Sequence, residues 1–497
     1  MNISNVLFVL DSLDNLLWGY IAMPALLLMG IYMSYRTKCI QIRRFPKVLS
    51  TFFETLTSKR SGDGIHPLKA FFVCIGGCMG VGNVVAVCTA IQIGGPGALF
   101  WIWVTALVGM IVKYSEVYLG IRYRVPNGKG GFTGGPMYFL QKVFKKAWVP
   151  KFAALLLCIY GVEIYQFSVV TESISTNFEL NKYVVATLLL ALIIFVSRRG
   201  VHYIGSIVSV SIPIFIVSYL GMGAWVFYQN YDLLPSVIHM IFSSAFSGHA
   251  AMGGFAGSTI LLTASQGIRR SCYAGDIAVG YASVIHSESR EDIAEKQASL
   301  AMMEIFLDSF IICTTSVMII LATGTWSQEI EASMLVQQAL ANYFPAMNIF
   351  MPLFLLMLGI TTIMSYFCAG IKCAEFVAPK YGRKIYYGYA LCITLVFINY
   401  PPLQALTVLS ITAGILLLLN LYGIYKLKDN IEFMPATAPS AGSTESLSEP
   451  QEEYVAQQNY AIQDNYVPES YVSENYLTDT YAINESPQAA ALINSTN

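Results

Sequence analysis

Residues 76–98 read GGCMGVGNVVAVCTAIQIGGPGA. The stretch lies in one of the most apolar parts of the chain, where a membrane helix ordinarily carries leucine. Gly76, Gly77, Gly80 and Gly82 are followed at once by Asn83. In hydrocarbon every backbone N–H and C=O needs a partner, so a helix can be interrupted only where the freed groups face protein, water or a ligand. The stretch therefore predicts a span that unwinds around a polar centre.

The surroundings are those of an integral membrane protein. Of 497 residues, 55% are hydrophobic and 12% charged, with mean hydropathy +0.57, whereas a soluble domain has about a quarter of its residues charged. A bilayer crossing needs about 20 mostly apolar residues. Eleven such segments are expected, near 15–35, 68–93, 98–121, 152–176, 182–197, 203–228, 244–266, 297–323, 347–373, 385–400 and 403–425. Residues 1–14 carry no Lys or Arg, so they lack the basic region of a cleaved signal peptide and the first span is expected to be retained.

Lys and Arg concentrate in cytoplasmic loops. With eleven spans and the N-terminus outside, loops and span ends after odd-numbered spans hold 27 of the 29 basic residues, among them Arg269 and Arg270; the exceptions are Lys113 and Lys182. That asymmetry predicts a multi-pass protein of the cell (inner, cytoplasmic) membrane with a cytoplasmic C-terminus. From Asp429 onward there are eleven acids and no Lys or Arg, which leaves the membrane part with 29 basic against 19 acidic residues, a net +10. This tail, rich in Ser, Asn, Gln, Glu and spaced tyrosines, reads as disordered, and it could dock a cytoplasmic partner. Nothing in the composition suggests a nucleic-acid partner. The ten cysteines are scattered without a CxxC pair, so neither a disulfide nor a resident metal is expected.

A second glycine-rich stretch, GHAAMGGFAGST at 248–259, falls in the seventh span, five spans after the first. Five helices per repeat is an odd number, so two such repeats laid end to end insert with opposite orientation, and each would open with a broken helix. Paired interruptions at corresponding positions of two halves mark the binding site of a secondary transporter. Half-helix N-termini favour a carboxylate, and released carbonyls suit Na⁺. Close helix packing is the alternative, because GxxxG pairs occur at Gly76/Gly80 and Gly253/Gly257.

Several blocks carry a resemblance: GVGNVVAVCTAIQIGGPGALFWIWVTALVGMIVKYSEVYLGIRYR (80–124), GGPMYFL (134–140), SSAFSGHAAMGGFAGST (243–259), GIRRSCYAG (267–275) and TTIMSYFCAGIKC (361–373). In this order they resemble the alanine/glycine:cation symporter family over about residues 15–428. The resemblance implies an all-α polytopic protein with a leucine-transporter-like 5+5 inverted repeat preceded by one extra helix. The expected division is 1–67 (first helix and loop), 68–228 (first repeat), 229–428 (second repeat) and 429–497 (tail). The implied activity is symport of alanine, glycine or similar small neutral amino acids with Na⁺, in some members H⁺; no cofactor beyond the coupling ion is implied.

Carried onto this chain, the resemblance places the substrate carboxylate and ion at the Gly80, Gly82 and Asn83 break, where Val81 replaces the family's usual Thr and removes a hydroxyl. Gln166 matches a glutamine that contacts the amino acid, with Phe167 beside it. A Gln amide offers two donors and an acceptor, which suits a zwitterion. Gly253 and Gly254 are the counterparts in the second break. In the ninth span Thr361, Thr362, Ser365 and Tyr366 stand on neighbouring helical faces; Thr362 matches a family Thr of the ion site, and Tyr366 stands where Trp is common, which would shorten a pocket wall. Val81, Asn83, Thr361, Thr362 and Ser365 form the expected ion shell, since hydroxyl and carbonyl oxygens suit a hard cation.

Glu163 is three residues from Gln166, hence on the same helix face, where the family more often has Asn. A mid-membrane carboxylate is costly unless paired or protonated, so Glu163 is a candidate cation ligand or proton carrier. His249 and GDIAVGYAS (275–283) also depart from the family; the latter replaces Asn-Glu-Ala-Gly-x-Gly-Ser-Ala-Pro and is expected on the cytoplasmic side, near an inner gate. Lys113 and Glu116, three apart, are expected to pair with each other, and Asp308 matches a family acid.

Two functions compete. One is transport, with a cation gradient driving uptake by alternating access. The other is a sensor that binds an amino acid without cycling and signals through the tail. No HExxH motif, GxSxG elbow or paired Asp signature lies in any span, which argues against an intramembrane enzyme.

Overall fold

The computed structural model describes residues 3–57, 64–128, 130–247 and 260–433. The helices belong to one unit, Met1–Val125 with Phe132–Phe433; Pro126–Gly131 groups with Met434–Asn497 as another. In chain order the principal helices are α1 (Phe8–Arg36), α2 (Pro67–Cys78), α3 (Ala86–Gly94), α4 (Ala98–Arg122), α5 (Trp148–Tyr160), α6 (Ile164–Phe178), α7 (Lys182–Ser197) and α8 (Gly200–Gln229). They continue with α9 (Leu234–Ser247), α10 (Ile260–Gly275), α11 (Tyr281–His286), α12 (Ala294–Ala322), α13 (Met347–Val377), α14 (Gly382–Phe397) and α15 (Pro402–Lys426).

Local chemistry sets several starts. Pro67 and Pro402 occupy first-turn positions, where the missing N–H costs nothing. His66 accepts from the Leu68 amide at 3.2 Å and Asn181 from the Tyr183 amide at 2.9 Å, so each caps its helix.

Seven helical segments among the described residues are long and apolar enough to cross a membrane: α1, α4, α5 with α6, α8, α12, α13 and α15. The bent pair formed by Pro67–Cys78 and Val81–Gly94, inclined by 52°, makes an eighth. The expected count of eleven exceeds this, because α7 and α14 have 16 residues each, under the usual length of a crossing.

Contacts between loops separate the two ends of the body. At one end Arg36 pairs with Asp429 (2.7 Å), Arg122 with Glu432 (3.5 Å), Arg124 with Asp292 (3.4 Å) and Lys372 with Glu288 (2.9 Å). At the other end Tyr183 donates to Asn399, Asn230 to Tyr343 and Gln337 to Asn177. Basic residues of several loops meet at the first end, as the charge asymmetry anticipates.

The seventh crossing differs from expectation. Helix α9, of which only the last four residues fall in the span expected at 244–266, packs against the opening turns of α4: Trp101 donates to the Ala245 carbonyl at 3.2 Å, and Phe100 lies 4.9 Å from Phe246 between ring centroids. Helix α10 starts at that same end, where Thr263 donates to the Gly94 carbonyl at 2.7 Å. It then runs through the body to Gly275, breaks, and resumes as α11. Arg269 and Arg270, expected in a loop, are thus buried within α10, and Arg269 pairs with the buried Asp14 of α1. A window holding two arginines, a glutamine and two serines scores as loop, whereas in the fold Arg269 meets Asp14 of α1 and Ser271 donates to the Ile102 carbonyl of α4 at 3.3 Å.

Candidate functional site

Two facing helix breaks define the site. The first follows Cys78: Gly80 is extended (φ −114°, ψ −159°) and Val81–Asn83 form a single 3₁₀ turn before α3. The second lies between α10 and α11, where Asp276 (φ +48°), Ala278 (φ +57°) and Gly280 (φ +115°) adopt left-handed backbone. Such conformations are costly outside glycine and persist where the surroundings over-determine them. Residues 276–280 are buried throughout. A second break among the described residues is thus at 276–280; the one expected at 248–259, with Gly253, Gly254 and His249, lies outside the described residues.

Each break frees backbone groups that a continuous helix would have joined four residues apart, and side chains of other helices replace the lost partners. The Gly76 carbonyl, which the Gly80 amide would have closed, accepts from the Thr362 hydroxyl of α13 at 2.9 Å. The Val81 amide donates to Gln166 Oε1 of α6 at 2.7 Å. At the second break the Gly275 carbonyl accepts from Lys113 Nζ of α4 at 2.8 Å, and the Ala278 carbonyl from Asn420 of α15 at 2.9 Å. The Ala282 amide, in the first turn of α11, donates to Asp276 Oδ2 at 2.8 Å. Both breaks are thus held open by polar side chains rather than by helix packing.

Gln166 links the two breaks. Its Nε2 donates to the Tyr273 hydroxyl of α10 at 3.3 Å, and that hydroxyl donates to Glu163 Oε2 at 2.8 Å. Glu163 is not in a helix interior as its spacing from Gln166 suggests: it has φ +50° and stands at a third interruption, between α5 and α6. The two side chains nonetheless converge, through Tyr273. Phe167 is buried beside them, with its amide on the Glu163 carbonyl at 3.0 Å.

Asn83 accepts from the Gly80 amide at 3.3 Å and donates to the Asp308 carboxylate and, at 3.4 Å, to Cys313 Sγ. Asp308 belongs to a π-helical turn, Phe306–Cys313, inside α12, a feature common at functional sites. The expected ion shell is only partly assembled. Thr362 and the Val81 and Asn83 backbone stand at the first break, and Ser365 is buried one turn from Thr362 on α13. Thr361 instead donates to the Leu358 carbonyl of its own helix at 2.8 Å. Gly80 and Gly82 are the close approaches: a Cβ on Gly80 would run into the Thr362 hydroxyl and lie 2.9 Å from the Gln166 amide, and one on Gly82 would lie 3.0 Å from the Tyr273 ring.

Tyr366 stacks on Tyr281 with ring centroids 3.8 Å apart, and its hydroxyl reaches Asp276 Oδ1 at 3.5 Å. Tyr281, whose hydroxyl donates to the Val73 carbonyl at 2.8 Å, lies in the stretch where the family has Ser. The stack makes compensation between the two departures testable, since Tyr281 packs against the wall that a Trp at 366 would lengthen. Tyr366→Trp alone should overpack this stack and lower the thermal midpoint, at a cost of about 1–3 kcal/mol. The double variant Tyr366→Trp/Tyr281→Ser should recover most of the loss; equal midpoints for single and double variants would refute the compensation.

Tyr160, Tyr273, Asp276, Tyr281 and Glu304 were not singled out from the sequence as site residues. The available signal was the departure at 275–283, which on sequence alone was assigned to an inner gate. Lys113 does not pair with Glu116: it bonds Glu304 of α12 at 3.0 Å, while Glu116 Oε1 lies 3.4 Å from the Ser283 amide. Both are completely buried. Near them Cys74, His286 and Glu304 bring one ligand atom each to within 4.8 Å of one another; the carboxylate is already engaged by Lys113 and, at 2.7 Å, by His286.

A multi-pass helical bundle whose polar centre is built from two facing helix breaks belongs to the class of membrane transporters. The chain is a member of the sodium:alanine symporter family, which matches residues 3–434, a family of amino-acid:cation symporters. It is 30% identical over 431 residues to the uncharacterized transporter YflA of Bacillus subtilis, covering 81% of this chain and 90% of that protein. It is 26% identical over 389 residues to the sodium/alanine symporter AgcS of Methanococcus maripaludis, covering 76% and 85%. Among solved structures, a mutant manganese transporter of Eremococcus coleocola superposes with TM-score 0.47 at 14% identity, over 73% of this chain and 78% of that one.

Proposed function

We propose that the protein is a secondary active symporter that imports a small neutral amino acid, alanine, glycine or similar, coupled to Na⁺ or H⁺. The observation that carries the reading is the pair of facing breaks, whose freed amides and carbonyls are met by Gln166 and Thr362 from one side and by Lys113 and Asn420 from the other. In this reading the substrate carboxylate displaces Gln166 Oε1 from the Val81 amide, and the released Gln166 carbonyl turns to the substrate ammonium. Gly80, Gly82, Asn83, Gln166, Phe167, Thr362 and Tyr366 then form the substrate site; Gly253 and Gly254, proposed with them, lie outside the described residues. The first break falls in the second crossing and the glycine-rich stretch 248–259 in the seventh of the eleven expected from the sequence, which supports a 5+5 inverted repeat after one extra helix. The basic loops gathered at one end support a cytoplasmic C-terminus in the cell membrane.

Cation coupling is supported by charge. Glu163, Asp276 and Asp308 are buried at or beside the breaks, and the ammonium near them, Lys113, is spent on Glu304. A buried carboxylate without a basic partner calls for a cation or a proton. The relative AgcS is named a sodium/alanine symporter, which supports Na⁺ and alanine for this chain.

Counterflow of labelled alanine in proteoliposomes tests the assignment: exchange is expected in the presence of Na⁺, and a protein that binds without cycling gives none. Glu163→Gln should keep the Tyr273 contact, because the amide oxygen still accepts, while removing the charge. Uptake should fall at least tenfold and lose part of its dependence on Na⁺ or pH. Unchanged cation and pH dependence would remove Glu163 from coupling.

A further inference from the structure

We infer that the Lys113 ammonium is a resident cation, tethered through its side chain at a cation position between the two breaks, where it takes the place of a free ion. The inference deepens the transporter reading and bears on how many free cations that site binds. Lys113 is completely buried. Its Nζ has three acceptors around it: Glu304 Oε2 at 3.0 Å, the Gly275 carbonyl at 2.8 Å and Cys78 Sγ at 3.4 Å. An ammonium has three donors and no acceptor; here it donates to the Gly275 carbonyl and to Cys78 Sγ, and the Glu304 carboxylate pairs with its charge.

The identity of the acceptors makes the position more than an ion pair. Cys78 is the last residue of α2 and Gly275 the last of α10, so the ammonium sits where the C-terminal ends of both interrupted helices converge. Those ends carry the negative pole of each helix dipole, and a carbonyl freed at a break is the kind of ligand that a transporter offers to a coupling ion. Here the carbonyl that the Val279 amide would have closed in a continuous helix is closed by the ammonium. The carboxylate is aimed by its own shell: Glu304 Oε1 meets His286 Nε2 at 2.7 Å, and His286 Nδ1 meets Gln297 Nε2 at 2.6 Å. Gln297 is fixed in turn by the Ser289 hydroxyl at 3.1 Å and the Pro67 carbonyl at 3.3 Å. Cation, carboxylate and both helix ends therefore form one prearranged constellation.

Removing the side chain beyond Cβ should leave a cation-sized pocket with its ligands in place, which free methylammonium or Na⁺ can occupy. The test is thermal unfolding of the detergent-purified full chain, with methylammonium, Na⁺ or N-methyl-D-glucamine as the chloride salt at equal ionic strength. Lys113→Ala is expected to gain about 3–5 °C in saturating methylammonium over N-methyl-D-glucamine, following ligand linkage, with Na⁺ competing for the same gain. The wild type should show no methylammonium shift. Lys113→Ser, which adds a hydroxyl ligand, should behave like the Ala variant. Both variants are expressed and extracted with the amine present. Equal responses of variant and wild type, or failure of methylammonium to recover either variant, would overturn the proposal. The readout involves no transport: a positive shift with no alanine counterflow would leave this inference standing while the symporter reading falls, and the reverse result would separate them the other way.

Discussion

Asp14→Ala is expected to lower the thermal midpoint by roughly 5–10 °C, because it strands a buried guanidinium. Asp14 and Arg269 are both nearly inaccessible and pair directly between α1 and α10. Removing one partner of a buried pair costs about 3–5 kcal/mol, since the remaining charge stays desolvated and uncompensated. Replacing both by apolar residues, as in Asp14→Leu/Arg269→Leu, should cost less than either single change. Asp11→Ala is the control: this exposed residue accepts one bond from Thr407 at 3.1 Å, and its loss should stay within about 0.5 kcal/mol. Midpoints measured on purified protein decide the matter. If Asp14→Ala unfolds with the wild type, Arg269 lies in a solvated loop and the placement of α10 across the body is wrong.

The second large effect concerns transport. Gly80→Ala should reduce alanine uptake on the order of 100-fold, corresponding to about 3 kcal/mol of misfit at tenfold per 1.4 kcal/mol. The added methyl would collide with the Thr362 hydroxyl and crowd the Gln166 amide. Those two groups close the Gly76 carbonyl and the Val81 amide, so a shift of either disorganises the break itself. Gly221→Ala in α8, where a Cβ meets nothing within 4 Å, should transport normally at matched membrane levels. Wild-type uptake by Gly80→Ala would mean that the substrate does not bind at this break.

The first break was legible in the sequence because its signal is local. Gly80, Gly82 and Asn83 stand together in an otherwise apolar span, and a run of helix-breaking residues in hydrocarbon has few physical readings. Gln166 and Thr362 were legible as well, since an amide and a hydroxyl in apolar helices need partners; the structure finds those partners at the break. The exchange of Trp for Tyr at 366 was visible, but its consequence was not, because Tyr281 packs against it from a segment placed elsewhere by hydropathy.

The break at 276–280 was not legible for a specific reason. Hydropathy weighs each residue as though its surroundings were lipid or water, so the expected span ended at 266 and the Arg269–Arg270 half of α10 scored as a loop. Lys113 was misread in the same way, since spacing on its own helix pointed to Glu116 while Glu304 lay closer across a helix interface.

By itself the amino-acid order determined that this protein lives in a bilayer, which end of it gathers positive charge, where the second crossing unwinds and which family it joins. These properties follow from composition and from short motifs, whose energetics are settled within a few residues. Only the tertiary structure decided that the chain also breaks after α10 and which charges are paired inside. The cost of burying an arginine, a lysine or a freed carbonyl depends on a partner that is distant in the chain, and only folding brings that partner into reach.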